Sequence, residues 1–89
     1  MNKLFLTGTV QRPPKVAYTP NGKKVLTFPL HSRDSGLTVD VLFAGDRHPA
    51  DLGSTVGGEI LVAGALVGVG TGQDQTVRIE ASQILWMEE

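Results

Sequence analysis

The 89-residue sequence contains no cysteine. This absence excludes a disulfide framework, a thiolate zinc site and a cysteine nucleophile. The two histidines, without cysteine, form no zinc-ligand set of recognised spacing. We therefore expect neither a metal ion nor a cofactor.

Long apolar runs are also missing. The most apolar window, Ile60–Gly70, holds 11 residues, whereas a membrane-spanning helix needs about 20. The window is typical of a buried strand, and the first residues lack the apolar stretch of a signal peptide. We expect a soluble, cytoplasmic protein with no membrane partner.

Size and composition indicate one globular domain over residues 1–89. Apolar residues make up 40% of the chain and charged residues 19%, which is globular rather than disordered composition. Eleven glycines and five prolines predict many turns and short elements. The core of such a chain is thin but sufficient for a compact barrel or sandwich.

Basic residues are concentrated in the first third, although the net charge is −1. Residues 1–33 contain no acidic residue and six basic ones: Lys3, Arg12, Lys15, Lys23, Lys24 and Arg33. Residues 34–89 contain two basic and nine acidic residues. If the first third forms one continuous face, the protein has a basic surface; if the two parts interleave in space, the field averages out.

Alternation of apolar and polar residues with period two predicts β-strands along most of the chain. The first strand is interrupted at Pro13 and Pro14, because two prolines remove two backbone donors. Thr19–Gly22 predicts a hairpin turn, and a change of parity near Ser82 predicts a β-bulge. The predicted strand segments are Lys3–Val10 continued by Val16–Thr19, Lys24–Ser32, Leu37–Ala44, Glu59–Val69 and Thr76–Met87.

The one candidate helix lies within Gly45–Gly58, between the third and fourth predicted strands. Five strands with a short helical connection at this position follow the order of an OB-fold. The sequence therefore predicts an all-β protein, a five-stranded OB-fold Greek-key barrel with one helical connection.

Several motifs of the first third carry a resemblance to a known family. They are Asn2–Val10, Pro14, Tyr18–Gly22, Val25, Phe28 and Leu30, in this order. With this pattern the chain resembles bacterial single-stranded DNA-binding proteins. Gly8–Pro14, Thr55–Gly57 and Ala81–Ile84 are similar to a specialised branch of that superfamily, primosomal replication protein N.

The resemblance implies an OB-fold that binds single-stranded DNA during DNA replication, primosome assembly or replication restart. It also implies a homodimer or homotetramer, with replication or primosome proteins as further partners. The residues do not distinguish DNA from RNA.

The chain departs from the family pattern in three respects. It ends at Trp86–Glu89, so we expect no C-terminal acidic tail. Trp86 is its single tryptophan, whereas the family stacks several tryptophans on bases. Leu37 and Val39 stand near positions where an aromatic and a basic residue are common. Phe43 does match, and the resemblance implies that it stacks on a base.

Binding a single strand requires cations for the phosphates and flat rings for the bases. Lys3 could equally be an ordinary solvated lysine, and Lys23 and Lys24 could be a charged hairpin tip. Arg12 and Lys15 could protect an edge strand instead of reaching DNA. Phe43 could be a core residue because it shares parity with Val41. Phe5 is expected on the outer face of its strand, against DNA or another subunit. The expected nucleic-acid-binding residues are Lys3, Phe5, Arg12, Lys15, Lys23, Lys24, Arg33, Phe43 and Arg47.

Enzymatic readings find little support in the sequence. Gly68–Gly72 looks like a phosphate loop but lacks the Gly-Lys-Ser/Thr sequence of a P-loop. No nucleophile–base pair stands out. We predict a non-enzymatic protein that binds single-stranded DNA. The alternative is an OB-fold protein-interaction module with little or no DNA binding, which the missing tryptophans and the net negative charge would suit.

Overall fold

The computed structural model describes residues 1–44 and 57–87, apart from the side chain of Trp86. The predicted all-β class is confirmed in this part of the chain. Its strands are β1 (Leu4–Val10), β2 (Lys15–Tyr18), β3 (Lys24–His31), β4 (Thr38–Ala44), β5 (Glu59–Val69) and β6 (Thr76–Trp86). A 3-10 turn at Gly72–Asp74 joins β5 to β6.

The described residues form six strands rather than the predicted five. Pro13 and Pro14 end the ladder of β1 at Val10, and pairing resumes at Lys15 as the separate strand β2. Proline has no backbone N–H to donate, so a pair of prolines divides one predicted strand into two.

The strands join in a closed circuit. Their order in the sheet is β1-β5-β6-β4-β3-β2, and β1 also pairs with β3 through Thr9 and Val10. Five strands therefore return to their starting point, while β2 extends from β3. The pairing of β4 with β6 is parallel and the other pairings are antiparallel.

Alternate residues of the circuit point inward and form one apolar core. Leu30 and Ile60 are fully buried, with 0% of their surface exposed. Leu4, Leu6 and Val39 pack against this core from partly buried positions. The buried cluster consists of Val10, Leu26, Phe28, Leu30, Val41, Phe43, Ile60, Val62, Ile79, Ala81 and Ile84.

The predicted bulge near Ser82 is confirmed. Ala63 pairs with Gln83, but Gly64 pairs with Ala81, so Ser82 has no partner in β5. The Ser82 hydroxyl donates a hydrogen bond to the Ala63 carbonyl at 3.2 Å. The extra residue changes the parity of β6, which returns apolar side chains to the core after the bulge.

The predicted helical connection falls mainly on residues 45–56, which lie outside the described residues. Within the described ranges the one helical element is the 3-10 turn Gly72–Asp74, located between the last two strands. No described helix has the length and hydropathy of a membrane span.

Candidate nucleic-acid interface

A groove runs across the outer face of β3 and β4. In this antiparallel pair Thr27 lies opposite Leu42 and Pro29 lies opposite Asp40. Their neighbours in the strands, such as Phe28, point into the core, and successive strand residues point to opposite faces. The outward residues therefore form a surface whose backbone is fixed by the core beneath it.

The groove encloses about 520 Å³. Its lining includes the basic residues Arg12 and Lys15 and the apolar residues Val69 and Val77. The complete described lining, called the β3–β4 groove below, consists of Arg12, Pro13, Lys15, Thr27, Phe28, Pro29, Thr38, Asp40, Val41, Leu42, Val69, Thr76, Val77 and Arg78. The surface thus offers cations, hydroxyls and small apolar contacts side by side.

Arg78 also lines the groove. It lies directly opposite Asp40 in the parallel pairing of β4 with β6. An ion pair of 3.9 Å joins its Nη2 to Oε2 of Glu80, and both side chains are more than one third exposed. Such a pair is weak. The Nε atom of Arg78 is buried and has no hydrogen-bond partner among the described residues.

Two of the predicted basic residues, Arg12 and Lys15, reach the groove. They lie on either side of the proline pair, so the break between β1 and β2 presents both at its rim. Lys23 and Lys24 lie instead at the β2–β3 hairpin. The backbone N–H of Gly22 donates to the Thr19 carbonyl at 2.8 Å, which confirms the predicted turn. Both lysines are exposed, and neither lines the groove.

Lys3 and Arg33 do not line the groove. Lys3 is exposed immediately before β1. Arg33 lines a separate cavity of about 150 Å³, whose other lining residues are Thr7, Gly8, Thr9, Asp34 and Glu59. Arg47 lies outside the described residues. The basic residues of the first third therefore line at least two separate cavities of the described structure.

Phe43, the residue expected to stack on a base, lies in the core in this structure. The side chain is 6% exposed, belongs to the core cluster and pairs in register with Leu26. Its inward parity follows from the position of Val41, which is also buried. A ring in this place cannot present a face to a base without leaving the core.

Phe5 lies on the outer face of its strand, as predicted, with 73% of its surface exposed. It is not part of the groove lining. Among the described lining residues the single aromatic ring is that of Phe28, which is 2% exposed. The described groove consequently has no exposed aromatic platform.

Sequence reasoning missed Arg78 and Asp40 as site residues. The register that places them side by side belongs to the parallel contact of β4 with β6, and these strands are not neighbours in sequence. The period-two pattern did predict that Asp40 points outward, since Asp40 has the same parity as Leu42. The partner across the parallel pair could not be read from one sequence.

The structure is similar to those of single-stranded DNA-binding proteins. A Thermus aquaticus single-stranded DNA-binding protein has a TM-score of 0.80 and 26% identity over 100% of this chain. A deletion variant of a Thermus aquaticus protein of the same description has a TM-score of 0.80 and 27% identity. This chain spans 41% and 42% of the lengths of those two chains.

A more distant similarity covers nearly the whole of both chains. The SSB domain of a Synechococcus protein has a TM-score of 0.74 and 15% identity, over 96% of this chain and 94% of that one. This likeness concerns the fold alone. No model of a protein family matches the chain, and no curated protein matches it in sequence.

Proposed function

We propose that the chain binds single-stranded DNA in the β3–β4 groove. The observation that carries the proposal is the position of Arg12, Lys15 and Arg78 around one open cavity on the outer sheet surface. The similarity to Thermus aquaticus single-stranded DNA-binding proteins supports it. We further propose that this binding serves DNA replication, primosome assembly or replication restart, in the cytoplasm, as the sequence predicts.

The proposed binding is mainly electrostatic. Arg12 and Lys15 at the rim neutralise phosphates and release their counterions. Pro29, Leu42 and Val77 provide apolar contacts for bases where an aromatic ring is missing. Stacking on an aromatic side chain is worth about 1–3 kcal/mol per base, so a groove without such a ring depends more on charge. No bond is made or broken, and we propose no enzymatic activity.

We also propose that the chain assembles as a homodimer or homotetramer through the outer face of β1, β5 and β6. In register, Phe5 lies opposite Ala63, and Leu61 lies opposite Leu85. Phe5 and Leu85 are 73% and 47% exposed. These four residues, called the apolar patch below, lie on the outer face away from the core.

The free edge of β1 supports the same assembly. β1 pairs with β5 from Leu4 to Thr9, but with β3 only through Thr9 and Val10. On the β3 side, the backbone of residues 4–8 therefore has no partner strand among those described. An unpaired edge next to an apolar surface favours contact with another chain.

A salt titration tests the DNA proposal. Fluorescence anisotropy with labelled oligonucleotides should give a straight log–log plot of affinity against salt, with a slope of about −0.7 for each phosphate neutralised. The double variant Arg12→Ala, Lys15→Ala should lower the steepness of this slope by about 1.4. Lys3→Ala removes one charge outside the groove and should change the slope by less than either groove substitution.

A slope near zero, or equal changes in all variants, would contradict binding in the groove. Complete absence of oligonucleotide binding by folded protein would instead favour the second candidate, a protein-interaction module. The observation behind that candidate is the lack of an exposed aromatic ring among the described residues of the groove.

A further inference from the structure

The β3–β4 groove is lined by a carboxylate and a guanidinium on neighbouring strands. Asp40 and Arg78 are direct neighbours in the parallel pair of β4 with β6. Their side chains share the outward face, because the next pair along, Val41 and Ile79, is buried in the core. Adjacent strands lie about 4.8 Å apart, so both groups can contact the same planar ligand.

The Asp40 carboxylate is available to a ligand. Asp40 is exposed and lines the cavity. Among the described residues it has neither a hydrogen bond nor an ion pair, since the ion pair of Arg78 is with Glu80. A carboxylate only accepts hydrogen bonds, whereas a guanidinium only donates them. The pair therefore presents one acceptor followed by a fork of donors.

Phosphates do not fit beside Asp40. A carboxylate repels a phosphate, whereas the cations Arg12 and Lys15 line the groove at and just before β2, which β3 separates from β4. A single strand bound with its backbone along these cations would direct its bases toward Asp40 and Arg78. The Watson–Crick edges of bases in a single strand are free for such contacts.

We infer that Asp40 and Arg78 form a base-discriminating pair that prefers cytosine to thymine, an inference that rests on the proposed function. Cytosine has an amino donor at N4, followed by acceptors at N3 and O2. The amino group can donate to Asp40 while Arg78 donates to N3 and O2. Thymine places the O4 acceptor at the N4 position, where it faces the carboxylate unfavourably. The single donor of thymine on this edge is N3–H. If it donates to Asp40, one neighbouring oxygen, O4 or O2, remains for Arg78, so thymine makes one hydrogen bond fewer than cytosine.

The two pyrimidines make a clean comparison because they have nearly the same size and both stack weakly. Labelled oligo-dC and oligo-dT of equal length would be titrated by anisotropy at mildly alkaline pH, where cytosine is neutral. We expect oligo-dC to bind about tenfold more tightly, within the range for one well-placed set of base contacts. Equal affinities, or tighter binding of oligo-dT, would overturn the inference while leaving the proposed function intact.

Two variants assign the preference to this pair. Asp40→Asn should abolish the preference for oligo-dC over oligo-dT, because an amide can turn its NH₂ group toward the O4 of thymine. Arg78→Lys keeps the charge but loses the donor fork, and it should reduce the ratio of the two affinities several-fold. Both variants change the ratio, which a general change in charge would leave unaltered.

Asp74→Asn is the matched control. It makes the same charge change in the 3-10 turn, at a residue that does not line the groove. Its affinities for both oligonucleotides should shift together, with the wild-type ratio retained. A ratio that survives in Asp40→Asn would overturn the assignment to Asp40. Failure of both oligonucleotides to bind would overturn the proposed function and, with it, the base preference.

Discussion

Asn2 makes two hydrogen bonds to the backbone of Leu66, which lies 64 residues away along the chain. Its Nδ2 donates to the Leu66 carbonyl at 2.7 Å, and the Leu66 N–H donates to its Oδ1 at 3.0 Å. The β1–β5 ladder reaches its last register pair at Leu4 and Gly64. The side-chain amide of Asn2 therefore continues the ladder with the same donor and acceptor geometry as a peptide group.

Asn2→Ala should lower the free energy of unfolding by about 1 kcal/mol. The substitution removes two hydrogen bonds. A typical hydrogen bond contributes about 0.5–1.5 kcal/mol, and these two contribute less because they are exposed to solvent. Urea denaturation followed by circular dichroism measures the change. Gln11→Ala is the control, because Gln11 is exposed and has no side-chain hydrogen bond to the described residues. Equal stability of the two variants would mean that the Asn2 contact contributes nothing in solution.

Gly64→Ala should destabilise the protein by about 1–3 kcal/mol, the usual cost of inserting a methyl group into a filled space. A Cβ at Gly64 would collide with the Glu80 carbonyl and lie 2.8 Å from the Cα of Ala81. Both obstacles are backbone atoms beside the bulge, so neither can turn away. Urea denaturation measures the loss.

Ser82→Ala separates the close approach at Gly64 from the hydrogen bond at the bulge. It removes the bond to the Ala63 carbonyl but leaves the backbone of the bulge unchanged. We expect a loss of about 1 kcal/mol or less, since the bond is exposed. If Ser82→Ala were as damaging as Gly64→Ala, close packing of the two strands would not be the reason for glycine at position 64.

The parts of the fold that could be predicted are those with a local signal. Period-two alternation located the strands, and the parity change at Ser82 located the bulge. The separation of β2 from β1 was predictable in part. The proline pair indicated a break, but it did not indicate that the chain resumes as a separate strand. The closing contact of β1 with β3 has no local signal, since it depends on the curvature of the whole sheet.

The site was harder to predict than the fold. A basic residue looks the same in sequence whether it faces the groove, as Arg12 does, or another cavity, as Arg33 does. The count of charges also gave no reason to select Arg78, because it is one of two basic residues among nine acidic ones in residues 34–89. Its place beside Asp40 is fixed by the register between two strands with a third strand between them in sequence.

Phe43→Ala should lower the free energy of unfolding by about 3–5 kcal/mol, as for other buried phenylalanines. The reason is its position in the core, with 6% of its surface exposed. Leu37→Ala is the control, because Leu37 is 61% exposed and the change should stay within about 0.5 kcal/mol.

Binding separates the core role of Phe43 from the stacking role. Oligonucleotide affinity, measured at low temperature and corrected for the folded fraction, should be the same for Phe43→Ala as for the wild type. A variant that unfolds like the wild type but binds less tightly would restore the stacking role that the sequence resemblance implied.

Phe5→Glu should convert the proposed homodimer or homotetramer to a monomer. Phe5 is the most exposed member of the apolar patch, and the patch adjoins the free edge of β1. Burying a carboxylate against an apolar partner surface without a cation costs several kcal/mol, which is enough to dissociate a contact of moderate affinity at micromolar concentration. Light scattering should give two or four times the chain mass of 9.5 kDa for the wild type and one chain mass for the variant.

Leu37→Glu is the matched control for this assembly test. It places the same charge at an exposed apolar residue that lies outside the patch, so the assembly should persist. Circular dichroism would establish that both variants fold, because Phe5 contributes little to the core from its 73% exposed position. A wild-type mass near 9.5 kDa that does not rise with concentration would rule out the assembly, and an oligomeric Phe5→Glu variant would place the contact elsewhere on the surface.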